Sequence, residues 1–229
     1  MPPVQPSPKR TPRASLQRSF GPVADLEAHL PEEWWRKLFN ALYMKTDGDV
    51  VENVENTRRE VDIIQSVTDI KPHSQILDLC CGQGRHVLEL ARRGFKNVHG
   101  LDRSRYLIRL AKKRATAEKL NAHFKEGDAR NPRLPEDGFD CVTIMGNSFG
   151  YFANKQDDVK VLKAMGRLLR QSGMIVLDLS DGEWMKSHHE PRSWEWIDEH
   201  HFVCRERSLA ADGERLISRE VIVHDEMGV

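Results

Sequence analysis

The chain has few cysteines, no excess of charge of either sign and no long apolar run. Its four cysteines, Cys80, Cys81, Cys141 and Cys204, form neither a disulfide framework nor a C-x-x-C pair. They suit a reducing compartment, so a cytoplasmic location is expected. Lys plus Arg equals Asp plus Glu at 35 each. Bulk charge therefore gives no reason to expect a nucleic-acid partner, although a local basic patch stays open. No stretch approaches the roughly 18 apolar residues of a membrane-spanning helix, so no membrane partner is expected. Residues 1–25 lack the apolar core of a secretory signal. What remains is a 229-residue chain with 39% hydrophobic and 31% charged residues. That is enough for one α/β domain with a real core.

Residues 1–25 hold Pro2, Pro3, Pro6, Pro8, Pro12 and Pro22 with Lys9, Arg10, Arg13 and Arg18, and no acid precedes Asp25. Such a segment buries too little to offset its ordering entropy and reads as a disordered tail. A basic arm for RNA or a targeting peptide is the alternative. Pro31, Glu32 and Glu33 read as the start of a helix carrying Trp34, Leu38 and Leu42. A second helix is expected from about 57 to 70, with Val61, Ile64, Val67 and Thr68 inward and Pro72 as its stop. Strands are then expected at 75–80, 97–101, 122–126, 139–145 and 174–179. Helices near 84–93, 104–120 and 155–170 fall among them. Five strands alternating with helices predict a Rossmann-like, doubly wound, mostly parallel sheet. Beyond Ser180 the pattern changes to two strands joined across Asp212-Gly213, a strong hairpin signal. The domain reading is a tail at 1–25 and one domain at 26–229: N-terminal helices at 26–71, a cofactor-binding core at 72–180 and a hairpin region at 181–229.

The stretch "ILDLCCGQGRHVLELARRG", residues 76–94, joins the first strand to its helix. Gly82 and Gly84 leave room for a ligand at the backbone, and the helix start offers free N–H groups. The dinucleotide fingerprint wants a third glycine, but position 87 is Val87. Asp102 closes the second strand, where a carboxylate can accept from both ribose hydroxyls. Asp128 follows the third strand and could accept from an adenine amino group, while the Ala129 amide donates to a ring nitrogen. Together these features describe an adenosine with a carboxylate-bearing tail rather than a pyrophosphate.

From Gln75 to Leu179 the chain resembles the class I S-adenosylmethionine-dependent methyltransferases, specifically the small bacterial-type ones. The resemblance is carried by "LDLCCGQGRH", "GLDRSRYL", "EGDAR" and "NSFGYF" in this order. It implies S-adenosyl-L-methionine as cofactor. Asp78, Cys80, Cys81, Gly82 and Gly84 would lie at its methionine end, Asp102 and Arg103 at the ribose, and Asp128 and Ala129 at the adenine. Met145 and Gly146 would sit below it, and Tyr43 and Arg58 would close the site. The commoner family pattern has glycine where this chain has Cys80, so a positive φ is not expected there. The acceptor would sit over Asn147, Phe149 and Tyr151, with Asn147 and Tyr151 as candidate catalytic residues. A small-molecule acceptor is expected. The alternatives are a cofactor-binding or interaction protein without turnover and an RNA methyltransferase aided by the basic tail. The oligomeric state stays open.

Other chemistry-bearing residues have blander readings. Adjacent Cys80 and Cys81 rarely ligate one metal and fit packing better. His188, His189, His200, His201 and Cys204 crowd together without helical metal-ligand spacing, so no metal is expected. Trp184, Trp194 and Trp196 read first as cover for a sheet edge, second as a stacking surface. Asn147 is either a turn residue or a polar contact near the transferred methyl. Residues 201–224 are either the antiparallel pair that usually closes such a sheet or an inserted substrate-side hairpin. The second reading is favoured, and it leaves the sheet without its final strands.

Overall fold

The computed structural model describes residues 21–226. The expected tail at 1–25 thus lies almost wholly outside the described residues. In chain order the elements are α1 (Leu26–His29), α2 (Trp35–Leu38), α3 (Tyr43–Thr46), α4 (Gly48–Val51), α5 (Val54–Val67), β1 (Gln75–Leu79), α6 (Arg85–Arg92), β2 (Asn97–Asp102), α7 (Arg105–Ala117), β3 (Ala122–Glu126), β4 (Phe139–Ile144), α8 (Lys155–Leu168), β5 (Leu169–Leu177), α9 (Gly182–His188), β6 (Arg192–Trp196), β7 (His201–Leu209) and β8 (Leu216–His224). Within the span read as one domain the chain groups into two compact units. One runs from Pro31 to Ser187; the other joins residues up to Leu30 with those from His188 onward.

The first unit is built on a five-stranded sheet of order β3-β2-β1-β4-β5, parallel at every pairing. The strand order reverses at β1, and in such sheets ligands bind beyond the carboxyl ends at that point. Alternation along β1 divides the core. Ile76 packs with Val61 of α5, Val87 and Leu90 of α6 and Ile108 of α7. Leu77 and Leu79 pack on the other face with Val161, Met165 and Leu168 of α8. A strand buried on both faces is apolar on both, which is why "QILDL" reads as a continuous run. Its acid, Asp78, shares the Ile76 face.

The helices start where capping side chains put them. Asn53, Ser104 and Asn154 each accept an amide of the first turn of α5, α7 and α8. Several expectations are corrected. The helix expected from Pro31 is broken into α2 and α3. The Asn40 side chain accepts from Leu42 N at 2.7 Å and donates to Lys37 O at 2.8 Å, and this local bonding competes with the helical ladder. α5 ends at Val67, well before Pro72, because Thr68 is extended and its hydroxyl donates to Ile64 O at 2.6 Å. Val67 is consequently 57% exposed rather than inward. β5 begins at Leu169, not 174. It pairs Leu169 with Phe139 and resumes at Met174 opposite Cys141, with residues 170–173 bulged between.

In the second unit β7 and β8 form the expected antiparallel hairpin, with Gly213 at φ 70° in its connection. β6 was not legible in the sequence. It pairs with β7, so the hairpin belongs to a separate three-stranded sheet of order β6-β7-β8. It is not the closing pair of the parallel sheet. Leu26 of α1 packs on Ala210 and Ile217. The Val23 amide donates to Glu206 Oε1 at 3.2 Å, anchoring residues 21–30 to this sheet. Trp194 and Trp196 do not cover the edge they occupy on β6; Trp194 is 69% exposed. Among the described residues no helix is long and apolar enough to cross a membrane.

Candidate functional site

One cavity opens at the carboxyl ends of β1, β2 and β3, with about 790 Å³ of empty space including its mouth. Cys80 and Gly82, Asp102 and Arg103, and Gly127, Asp128 and Ala129 line it from three successive strand tips. Parallel register sets the tips level: Leu79 lies beside Leu101, and Asp102 beside Glu126. Much of the remaining lining is aromatic. Trp35, Phe39 and Tyr43 come from the N-terminal segment, and Phe149, Tyr151 and Phe152 from the loop after β4.

Asp102 is held by two backbone donors, Gly82 N to Oδ2 at 2.9 Å and Ser104 N to Oδ1 at 2.6 Å. Burial raises its pKa, while those amides pull the other way. A carboxylate has about four acceptor sites, so acceptor capacity stays available for a hydroxyl donor in the cavity. A Cβ built on Gly82 would meet only Leu107 Cδ1, at 3.8 Å. The missing side chain therefore leaves open space rather than relieving a clash.

Asp128 is clasped by Arg130. The Arg130 amide and Nε donate to Oδ1 at 2.9 and 3.0 Å, and Nη2 donates to Oδ2 at 2.7 Å. This pairing holds the Asp128 carboxyl below its usual range. Arg130 Nη1 also donates to Asp157 Oδ2 of α8 at 2.8 Å. Its guanidinium lies 4.7 Å from the Phe152 ring centroid and 5.4 Å from that of Trp35. One arginine thus joins the acid after β3 to both aromatic segments.

The methyltransferase domain family matches residues 76–173, the stretch that carries these strand tips. Residues 76–173 belong to the class I S-adenosylmethionine-dependent methyltransferases. Demethylmenaquinone methyltransferase of Staphylococcus haemolyticus is 36% identical over 109 residues, 47% of this chain and 44% of that protein. The enzyme of the same name from Deinococcus radiodurans is 35% identical over 104 residues, 45% of this chain and 42% of its own. The chain thus spans less than half the length of these relatives. A solved S-adenosylmethionine-dependent methyltransferase of Clostridium acetobutylicum superposes with TM-score 0.62 at 21% identity, over 80% of this chain and 77% of its own. The CcbJ methyltransferase of Streptomyces caelestis gives 0.64 at 14%, over 81% and 75%. At such identities these two likenesses establish the fold.

Several residues expected at the site of this methyltransferase domain do not line the cavity. Asp78 is fully buried on the α5–α6 face: Thr143 Oγ1 donates to its Oδ1 at 2.9 Å, and His86 Nδ1 lies 3.5 Å from its Oδ2. Cys81 is buried, its amide donating to Leu101 O at 3.0 Å. Gly84 is needed for packing, since a Cβ there would come within 2.6 Å of the Phe124 ring, and its φ is 79°. Met145 is buried, and the Gly146 amide donates to Asp178 Oδ2 at 2.9 Å. Arg58 is exposed on α5, and its carbonyl accepts from Arg93. Asn147 turns away in a left-handed conformation (φ 54°), its Oδ1 accepting from Ser180 N at 3.1 Å. That is the turn-residue geometry.

Cys80 corrects a further expectation. Its φ is 65°, so the chain turns left-handed at the position where the commoner pattern has glycine. The turn geometry is retained and the Cβ is carried at a steric cost of about 1–2 kcal/mol. Burial pushes the thiols of Cys80 and Cys81 well up, so neither is a ready nucleophile.

Sequence reasoning missed the network beneath the cavity. The Arg85 guanidinium pairs with Glu60, His86 Nε2 lies 2.8 Å from the same Glu60 oxygen, and Arg85 also donates to Thr57 Oγ1 at 3.1 Å. Burial would raise the Glu60 pKa, but His86 and Arg85 outweigh it and hold it at about 2. Arg130, Trp35, Phe39 and Phe152 were missed too. Their signal was the aromatic density of "EEWWRKLFNALY" and the arginine following Asp128 and Ala129. In the second unit His200 Nδ1 pairs with Asp225 at 2.9 Å and His201 Nδ1 with Asp198 at 2.7 Å. Among the described residues no group of three or more His, Cys, Asp or Glu is placed to hold a metal ion.

Proposed function

We propose that the chain transfers a methyl group from S-adenosylmethionine to a small-molecule acceptor. One observation carries the reading: Gly82, Asp102, Asp128 and Ala129, from three adjacent strand tips, border a single cavity. Asp102 would hold the ribose, Asp128 and Ala129 the adenine, and the Cys80–Gly82 turn the tail. Bound there, the cofactor supplies a sulfonium-activated methyl group for in-line displacement. The chain's own work is positioning, which can supply much of the rate of such a reaction. Burial pushes the Tyr151 phenol up to about 12 and raises that of Tyr43 as well. Both rings then stay neutral at ordinary pH and are poor proton acceptors. Asp102 and Asp128 are engaged by amides and by Arg130. A proton lost by the acceptor would leave to water.

The relatives named demethylmenaquinone methyltransferases support a small-molecule acceptor over a nucleic acid, as does the balanced charge. The reading keeps 26–229 as one methyltransferase domain in a reducing cytoplasm that suits four free cysteines. Calorimetric titration with S-adenosylhomocysteine tests the cofactor half; no binding to pure, folded protein overturns the reading. Incubation of the full chain with labelled S-adenosylmethionine and a metabolite extract tests transfer. Label in the small-molecule fraction is the expected result. Cofactor binding without transfer would favour a binding protein, and label in RNA would favour an RNA methyltransferase.

A further inference from the structure

One face of the three-stranded sheet in the second unit is ordered in rows. Antiparallel register sets Ser208 beside Ile217, then Arg192, Glu206 and Arg219 together, then Trp194, Cys204 and Val221, then Trp196, Phe202 and Val223. The two-residue alternation of strands puts all four rows on the same side. Side-chain contacts agree: Arg219 Nη1 donates to Glu206 Oε2 at 2.7 Å, and the Trp196 and Phe202 rings lie 5.2 Å apart. The last two rows form an apolar patch on which Trp194 and Trp196 are 69% and 63% exposed. A contiguous exposed apolar patch of this kind marks a contact surface.

The start of the described chain runs along this same face. Leu26 packs on Ile217 in the first row. In the second row the Val23 amide donates to Glu206 Oε1 at 3.2 Å, and the Gly21 carbonyl accepts from Arg219 Nη1 at 3.2 Å. Followed backward from Leu26 to Gly21, the chain advances from the hairpin turn toward the tryptophans. The Trp194 row lies two strand residues further on, about 6.7 Å. Two extended residues span that distance, and the residue before Gly21 is Phe20. Beyond the Trp196 row come Asp198 and Glu199, between β6 and β7, and Asp225 and Glu226 after β8. The sequence preceding Phe20 carries Arg18, Arg13, Arg10 and Lys9 and no acid. Order and charge therefore match: an aromatic residue falls at the aromatic rows, and cations follow toward the carboxylates.

We propose that the segment before Gly21 docks on this face, with Phe20 on the Trp194 and Trp196 rows and its basic residues toward the acids beyond them. The occupant is the chain's own segment rather than a second copy, because Gly21 tethers it one row away and gives it a high effective concentration. The test is photo-crosslinking of the full chain carrying p-benzoyl-L-phenylalanine at position 20. The expected product is a crosslink within one chain, to a peptide of β6, β7 or β8. Trp194→Ser combined with Trp196→Ser should cut its yield at least five-fold in protein whose circular dichroism matches the parent. Deleting residues 1–20 from the parent should raise the acrylamide quenching of its tryptophan fluorescence, and that measurement needs no substitution in the sheet. Crosslinks to residues 31–187, crosslinks joining two chains, no crosslink, or unchanged quenching would each overturn the proposal. A crosslink between chains would instead assign the face to a second copy. Cofactor binding plays no part in these readouts, so their failure leaves the methyltransferase reading intact.

Discussion

The Gly82 amide donates to Asp102 Oδ2 at 2.9 Å, tying the turn after β1 to the acid that ends β2. The same carboxylate takes the Ser104 amide at the entry to α7. Asp102 is therefore both a ligand candidate and the fastener of two loops.

Replacing Asp102 tests both roles. Asp102→Ala should weaken S-adenosylhomocysteine binding by about 1–3 kcal/mol, through loss of charge-assisted hydrogen bonds. Asp102→Asn keeps one amide acceptor and should lose less. Calorimetry on variants first checked for folding decides it; an unchanged Kd in Asp102→Ala would remove this residue from the site.

At Cys80 the usual ranking of small residues should invert. Both Cys80→Ala and Cys80→Gly remove the thiol, but only glycine relieves the left-handed strain at φ 65°. Glycine should be the more stable of the two by roughly 1 kcal/mol. Urea unfolding of the pair measures it, and an alanine variant equal to or better than glycine would contradict the backbone geometry.

Gly84→Ala should be severely destabilising. The new Cβ would lie 2.6 Å from the Phe124 ring and 3.1 Å from Ala111 Cβ, in a left-handed backbone. Overpacking of this kind costs about 1–3 kcal/mol, and the backbone adds about 1–2. Denaturant midpoints report the loss. Phe124→Leu combined with Gly84→Ala should recover part of it.

The buried His86 has a defined pH signature. Burial alone would lower its pKa, but Asp78 and Glu60 raise it above the ordinary imidazole value of 6.5. Its stabilising contribution is thus complete below about 6.5, the unfolded value, and is lost as pH rises through the higher folded value. The stability gap between the parent and His86→Gln should narrow from pH 6 upward. Glu60 behaves oppositely. Its contribution is present above the unfolded value near 4.5 and is lost as pH falls toward about 2. Thermal melts of His86→Gln and Glu60→Gln across pH 2–9 check both directions; parallel curves for parent and variants would show the network to be uncoupled from folding.

Much of the parallel sheet was legible because its signals are local. Apolar strands, the capping Ser104 and the Asp212-Gly213 hairpin each act within a few residues. β6 escaped because "RSWEW" carries no turn signal and becomes a strand only by pairing with β7. The long N-terminal helix failed because Asn40 competes locally with the ladder that the apolar spacing suggested.

From its sequence alone the chain determined the alternation of the parallel strands with their helices, the glycine turn and the acids at the strand ends, because each depends on near neighbours along the backbone. Only the tertiary structure decided which of those residues face the cavity. The two-residue period of β1 turns Asp78 toward His86, while the level ends of β1, β2 and β3 bring Gly82, Asp102 and Asp128 together. It also decided that Arg130 would join Trp35 to Phe152 across more than a hundred residues of chain, a meeting set by packing of distant segments that no local pattern encodes.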